Sequence, residues 1–415
     1  MALLLCLAVG CDDPLEVNDP DLLTIDDLSG AKGAELLWGG AIREVSQAVA
    51  GSVGGHALLS ALLSDEYYSA AVDNSMRLVD LRTTAETSVV ATGFLQLHQA
   101  RVAARNAAEE MEEALPDETR VGELWSLNGF TYLMLGEDFC SGVPFSQVSL
   151  EGDVVFGQPK TTEEIFEIAA SRFETALSEA AGNADLEHLA RIGLGRGLLN
   201  LGRYAEAAQA VASVPTEWRY TLHFGSDFVN AHYQYSVLGW LSISDGEGTV
   251  GLPFRSANDP RVPWVESGLG GDGTSLQYSQ MKFSEPESAV ILASGYEARY
   301  LEAEAALDAG DIPGFLGNLN EVREVLDMGP VADPGTTAGR VDLLFRERGF
   351  TFFGEGHRLG DLRRLVRQYG RSQDDVFPTG TYHYGGLEYG SDVNFVLPES
   401  EKDNPYFAGC LDPGA

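Results

Sequence analysis

Arg346-Glu347-Arg348-Gly349-Phe350, then Phe353-Gly354-Glu355-Gly356-His357-Arg358-Leu359-Gly360-Asp361-Leu362-Arg363-Arg364, sets charged helix ends on either side of a glycine-rich turn. Arg346, Arg348, Arg358, Arg363 and Arg364 are placed to pair with Glu347, Glu355 and Asp361 where the two helices meet. An ion pair buried at such a junction is costly to break, because the surviving charge is left without a partner. The block therefore reads as framework rather than as ligand contact. The acid–imidazole neighbours Glu355 and His357 belong to the same framework.

Helical pattern extends outward from this block. Phe94, Leu97, Ala100, Ala104, Ala107, Met111 and Ala114 recur at steps of three and four, one face of a long helix that Pro116 ends. Thr161-x-x-Glu164 is a capping box, and the helix it opens presents Ile165, Ala169, Phe173, Ala176 and Ala180. Helix pairs are expected around Trp125-x-x-Asn128-Gly129-x-x-Tyr132, over 189–214 with a turn at Gly202-Arg203-Tyr204, and over 289–328 with a turn at Gly310-Asp311. Gly193, Gly197 and Ala207 would let paired helices approach closely. The pairs look like degenerate tetratricopeptide repeats of uneven spacing. Each pair needs neighbours to bury its apolar face, so one continuous, mostly α-helical body is expected.

Two regions break the pattern. Residues 215–288 hold Trp218, Tyr220, Phe224, Tyr233, Tyr235, Trp240, Trp264 and Tyr278 among Gly, Ser and Pro. Residues 371–415 carry Tyr382, Tyr384 and Tyr389 among glycines. Irregular segments of this size in a compact protein usually carry function. One domain over 31–415, with an aromatic-rich insertion at about 215–288 and a loop lobe, is the expected organisation.

The 415 residues include 63 acids against 27 bases, a formal charge of −36, with 44% hydrophobic and 9% aromatic residues. That composition supports a large core. It excludes nucleic-acid binding through the bulk surface, which needs clustered Lys and Arg, and it disfavours lying flat on an anionic membrane.

Ala2 to Val9 form a short apolar run closed by Gly10-Cys11, with Asp12, Asp13 and Pro14 next. Residues 1–11 fit a lipoprotein signal segment in which Cys11 becomes the lipidated residue. No Lys or Arg precedes Cys11, and Ala8 stands where Leu is commoner. The alternative is a frayed N-terminus with an incidental cysteine. Residues 12–30, acidic and with two prolines, read as an extended leader. Cys6 would leave with the signal, so Cys140 and Cys410 remain as an even pair, a disulfide candidate in an exported protein. Two free buried thiols are the alternative. No CxxC and no Cys/His cluster points to structural zinc.

With these residues in view, the chain resembles the SusD/RagB family. Its Glu-Arg-rich helix, Glu-Gly-x-Arg turn and Asp-Leu-Arg-Arg helix match the 346–364 block. Four more blocks follow the family's order: Cys11-Asp-Asp-Pro-Leu15; Gly142-Val143-Pro144 with Pro159 and the helix from Thr161; Leu319-Asn320-x-Val322-Arg323; and Leu397-Pro398-x-Ser400-Glu401 with Asn404-Pro405. Leu359 departs from the Trp or Phe usual after that arginine. The resemblance implies a SusD-like fold. It also implies an outer-membrane, cell-surface lipoprotein that touches the membrane only through its anchor. Such a protein captures a nutrient, often an oligosaccharide, and acts as a lid on a SusC-like TonB-dependent barrel. In the family the helical-repeat side faces the transporter, and loops on the opposite lobe hold the ligand.

No catalytic constellation stands against this. GxSxG, HExxH and P-loop patterns are absent from the sequence. Gly193-x-Gly195-x-Gly197 lies inside a helical pattern, so it is no dinucleotide loop. Asp65-Glu66 could be imagined as paired carboxylates for glycoside hydrolysis, but adjacent helical residues do not face each other. An enzyme is not expected, and neither is a cofactor. Calcium at the turn-like Asp245-Gly246-Glu247-Gly248 or Gly271-Asp272-Gly273 would lack EF-hand spacing. Sugar binding needs flat aromatics and a few polar groups. The candidates are Tyr67, Tyr68, Asn74 and Arg77, with Tyr233, Tyr235, Trp264 and Tyr278 from the insertion; core packing is the competing role for each aromatic. A second function is an envelope adaptor that binds proteins or peptides in a groove along tetratricopeptide-like pairs. A compact aromatic pocket in the loop lobe favours capture of a small ligand, and a long groove along the helices favours a peptide.

Overall fold

The computed structural model describes residues 25–85, 87–149 and 152–414. Cys11 and its signal segment lie outside these residues, as does the leader up to residue 24. From Ile25 the chain is a 3-10 turn, Ile25–Leu28, and then helix from Gly30, so the last residues of the stretch expected as an extended leader are helical.

The helices are α1 Gly30–Ala50, α2 His56–Leu63, α3 Asn74–Asp80, α4 Ser88–Ala114, α5 Arg120–Asp138, α6 Thr162–Glu179, α7 Ala184–Asn200, α8 Tyr204–Val211, α9 Ala231–Val237, α10 Gly295–Asp308, α11 Ile312–Val325, α12 Thr337–Thr351 and α13 Arg358–Arg367. The strands are β1 Tyr67–Ser69, β2 Val143–Pro144, β3 Gln147–Val148, β4 Val154–Val155, β5 Pro159–Lys160, β6 Arg219–Leu222, β7 Leu241–Ile243, β8 Trp264–Leu269, β9 Leu276–Gln280 and β10 Val290–Ser294. The fold is thus mostly α, with small two-stranded sheets.

The helices pack in succession: α1 on α4, α4 on α5, α5 on α6, α6 on α7, α7 on α8, α8 on α10 and α10 on α11. This is the continuous body of helix pairs that the periodicity predicts. The capping box of α6 is present, with Glu164 N–H donating to Thr161 Oγ1 and Thr161 N–H donating to Glu164 Oε2. Ile165, Ala169, Phe173, Ala176 and Ala180 are buried. Close approach is real at Gly193, where an added Cβ would lie 2.0 Å from the Phe173 ring. Gly197 differs: its nearest neighbours would be 3.7 Å away, ordinary contact. Among the described residues no helix is long and apolar enough to cross a membrane.

The charged block joins the body together. α12 ends at Thr351, Gly354 and Gly356 turn the chain at φ +70° and +83°, and α13 starts at Arg358. Its pairs mostly reach outward rather than closing on one another. Arg348 grips Asp361 at 2.8 Å through Nε and Nη2, as expected. Arg358 instead holds Asp65 at the end of α2. Arg364 holds Glu304 of α10, Glu347 takes Arg261 and Arg323, and Glu355 takes Lys282. Arg363 donates to the carbonyls of Gly136 and Phe139 at the end of α5, and Arg346 lies over the Phe350 ring. The sequence places these charges at a junction, but their partners come from remote segments that no local pattern reveals.

Cys140 and Cys410 form a disulfide with their Cα atoms 5.7 Å apart. Leu411 N–H donates to Ser141 O at 2.7 Å, so the tail is fixed against the end of α5.

The stretch expected to be an irregular insertion, 215–288, is built of short strands and a helix. β6 pairs with β10, β8 with β9, and β7 with β1, all antiparallel. The strands run three to six residues, and bulges at Glu266/Gly268 and Ile291/Ala293 break two of the pairings. Such runs are too short and too interrupted to show alternation in sequence.

Candidate ligand-binding site

The β1–β7 ladder sets the floor of the candidate site. Along β1 successive side chains point to opposite faces, so Tyr67 and Ser69 turn inward and Tyr68 turns out. Tyr67 is fully buried, its hydroxyl 3.2 Å from His232 Nδ1 and its ring edge-on to Phe353. Tyr68 sits opposite Ser242 of β7 and donates its hydroxyl proton to Leu276 O at 2.5 Å. β9 lies across β7, and Tyr278 N–H donates to Ser242 Oγ.

Two further segments close the site. After β7 the chain makes a tight turn through Gly246 and Gly248, both at positive φ. Asp245 caps it by accepting from the backbone N–H groups of Arg255 and Ser256. The tail forms a hairpin in which Thr381 faces Glu388 and Tyr389 N–H donates to Gly380 O. That hairpin presents His383, Tyr384 and Tyr389.

Together these segments line an open cavity of about 660 Å³. Tyr68, Tyr278, Tyr384, Tyr389 and His383 supply its aromatic surfaces. Ser244, Asp245, Glu247, Arg255, Thr274, Ser275 and Thr381 supply its polar groups, with Gly248, Gly385 and Leu276 completing the wall. No α-helix contributes a lining residue. The Arg255 guanidinium lies 3.6 Å from the Tyr278 ring centroid, and Arg77 lies 4.0 Å from that of Tyr384. His383 is packed beside Tyr68 at 4.5 Å. The rings are thus held by neighbours before any ligand arrives.

At the floor lie two buried carboxyls. Asp80 Oδ2 accepts from Ser69 N–H at 2.6 Å and Tyr382 O–H at 2.5 Å. Glu247 Oε1 accepts from Tyr389 O–H at 2.6 Å. Burial pushes both carboxyls above the usual range, most strongly Glu247, where the charge of Asp80 adds to the effect.

The residues singled out from sequence fall in different places. Tyr68 and Tyr278 line the cavity. Arg77 braces Tyr384 from behind and contacts Asp272 at 3.8 Å. Trp264 packs edge-on to Tyr278. Tyr67 is interior, Tyr235 stacks on Trp240 against the core, and Tyr233 is half-buried on α9. Asn74 is exposed in the first turn of α3. Tyr384, Tyr389 and His383 come from the glycine-rich tail, whose tyrosines were the available signal. Glu247 stood out only within the turn-like Asp245-Gly246-Glu247-Gly248, and Arg255 carried no signal beyond its place in an irregular segment. Asp65 and Glu66, the imagined catalytic pair, are framework: Asp65 binds Arg358, and Glu66 accepts from Gly354 N–H. Asp272 is likewise a turn cap, accepting from Thr274 and Ser275 N–H.

Other cavities differ in character. One of about 550 Å³ lies where the tail meets α6 and α7, and one of about 540 Å³ runs beside α1 and α4, lined by Leu95, His98, Val102 and Pro144. Neither gathers tyrosines.

The chain is thus a body of successive helix pairs with a lobe of strands and loops that lines an aromatic cavity, and this architecture is that of SusD-like proteins of known structure. Solved structures of that fold superpose on nearly the whole chain. A SusD-like carbohydrate binding protein from Bacteroides vulgatus, 13% identical, matches at TM-score 0.66 over 92% of this chain and 98% of its own. A SusD-like protein from Bacteroides fragilis, 14% identical, matches at 0.68 over 94% and 98%. A laminarin binding SusD-like protein, 13% identical, matches at 0.69 over 92% and 99%. No protein-family model and no curated protein matches the sequence. At these identities the likeness is one of fold, and it is the fold that the charged block and the four ordered blocks imply.

Proposed function

We propose that this protein captures a glycan, without transforming it, in the tyrosine-lined cavity of its loop lobe. The observation that carries this is the make-up of the wall: four tyrosines interleaved with hydroxyl, carboxyl and guanidinium groups. Sugars offer flat C–H faces for aromatic rings and a rim of hydroxyls for hydrogen bonds, and such a wall meets both needs. Arg255 over Tyr278 and Arg77 over Tyr384 hold two of the rings in place, which lowers the ordering cost of binding. Carbohydrate binding by structural neighbours, one of them laminarin-binding, supports the class of ligand.

The wider role follows from the resemblance. The protein is a lipoprotein anchored through Cys11 at the outer membrane and facing the cell surface. It delivers its ligand to a SusC-like TonB-dependent barrel. The peptide-adaptor alternative needs a long aromatic groove along the helices, whereas the tyrosines gather in one compact cavity.

The test is a thermal-shift panel on the full chain, with neutral oligosaccharides (laminari-oligosaccharides first) against peptides of similar mass. A ligand at one hundred times its Kd adds about 2.7 kcal/mol to stability. An upward shift with an oligosaccharide is expected. Shifts with peptides alone would refute glycan capture.

A further inference from the structure

A ring nitrogen of His383 and one carboxyl oxygen from each of Asp80 and Glu247 all lie within 4.8 Å of one another at the cavity floor. The carboxyls are buried, Asp80 at 1% exposure and Glu247 at 9%. Asp80 Oδ1 and Glu247 Oε2 accept from no N–H or O–H donor among the described residues, and the two carboxyls lie close enough to share a proton with each other. Two unsatisfied buried acceptors are expensive unless a proton or a cation lies between them.

The surroundings favour a cation. His383 Nε2 lies 3.2 Å from Ser69 O, and a carbonyl can only accept, so Nε2 carries a proton and Nδ1 is the nitrogen left to ligate an ion. The second oxygen of each carboxyl is held by Ser69 N–H, Tyr382 O–H or Tyr389 O–H. A metal-ligating imidazole that donates its other N–H to a carbonyl, beside carboxylates held by outer donors, is the usual support of a metal site. The donor set of one imidazole and two carboxylates suits a borderline divalent ion better than calcium, which takes six to eight oxygens. Zn²⁺ with ligands at about 2.0–2.1 Å spaces them about 3.3–3.4 Å apart, so the trio closes by about 1.5 Å or less. His383 sits on the exposed tail hairpin, and closing the trio shifts its ring relative to Tyr68 and Ser69 O. Glu247 and His383 also line the cavity, which gives an entry path.

We propose that Asp80, Glu247 and His383 bind one Zn²⁺ at the floor of the cavity, with a fourth coordination position open toward it. The site stands independently of which ligand fills the cavity.

The full chain, stripped with EDTA, is titrated with Zn²⁺ by isothermal titration calorimetry alongside Glu247→Gln and His383→Ala. One Zn²⁺ per chain is expected, with affinity weakened more than tenfold in both variants. His383→Ala is a surface change, so it carries the test if Glu247→Gln misfolds. Absence of binding to the wild-type chain would leave only a proton shared by the two carboxyls and overturn the proposal. Zn²⁺ held as tightly by folded His383→Ala would place the ion elsewhere and overturn it too.

Discussion

Arg358 holds Asp65 through two hydrogen bonds, 2.5 Å from Nε and 2.8 Å from Nη2, across 293 residues of sequence. Both side chains are buried. Asp65 Oδ2 also accepts from Leu252 N–H, and the neighbouring Glu66 carbonyl accepts from Ser244 N–H. One ion pair therefore links the start of α13, the end of α2 and the loop that carries the cavity wall.

Breaking that pair leaves a buried charge alone. Arg358→Met is expected to cost about 3–5 kcal/mol in denaturant unfolding. Adding Asp65→Asn should recover part of the loss, because the stranded carboxylate is removed. A double mutant no more stable than Arg358→Met would contradict the pairing.

Burial pushes Glu66 from its ordinary 4.5 up to about 8, and Glu297 up to about 7. A folded-state pKa above the unfolded one means the folded chain holds a proton that the unfolded chain has lost. Stability is then greatest below pH 4.5 for these groups and falls as pH rises through about 7 and 8. His232, held down to about 3 by burial, acts in the opposite sense below its ordinary 6.5. Above about pH 6.5 the histidine contribution fades, and the buried acids, Glu247 among them, all act in the falling sense. Tm should fall from about pH 6.5 to 8.5, and Glu66→Gln should flatten the slope. Parallel slopes would show that Glu66 is already ionised.

Gly193 and Gly197 lie one turn apart on α7 yet should respond oppositely. Gly193→Ala drives a methyl into Phe173 and is expected to cost about 1–3 kcal/mol. Gly197→Ala meets only ordinary contacts and gains helix propensity, up to about 1 kcal/mol. Chemical denaturation of both variants checks the sign of each.

The Cys140–Cys410 bridge closes a loop with a sequence separation of 270. On the chain-entropy account, Cys140→Ser with Cys410→Ser should lower stability by up to about 5 kcal/mol. The 410–414 tail should also become more protease-sensitive. Unchanged stability would mean the tail's hydrogen bonds hold it alone.

The helical body was legible because its signals are local. The Thr161–Glu164 capping box, the 3.6-residue faces of α4 and α6, and the turns at Gly202 and Gly310 are each written within a few residues. The charged block was legible as a junction, but Asp65, Glu304 and Lys282 could not be named as its partners, since only the folded chain brings them near. The cavity was half legible for the same reason. Tyr68 and Tyr278 stood out as aromatics in irregular segments. Alternation along β1, which buries Tyr67 and presents Tyr68, depends on pairing with β7. His383, Tyr384 and Tyr389 enter through a tail hairpin more than a hundred residues away. Strands of three residues and bulged pairs hide their period, so 215–288 read as an insertion.

The most direct test of glycan capture is the affinity of the best oligosaccharide for Tyr278→Ala and Tyr233→Ala beside the wild-type chain, by isothermal titration calorimetry. Tyr278 lines the cavity and Tyr233 does not. The account predicts at least tenfold weaker binding for Tyr278→Ala, about 1.4 kcal/mol or more, and an unchanged Kd for Tyr233→Ala. Equal affinity in all three proteins would place the ligand outside this cavity and contradict it.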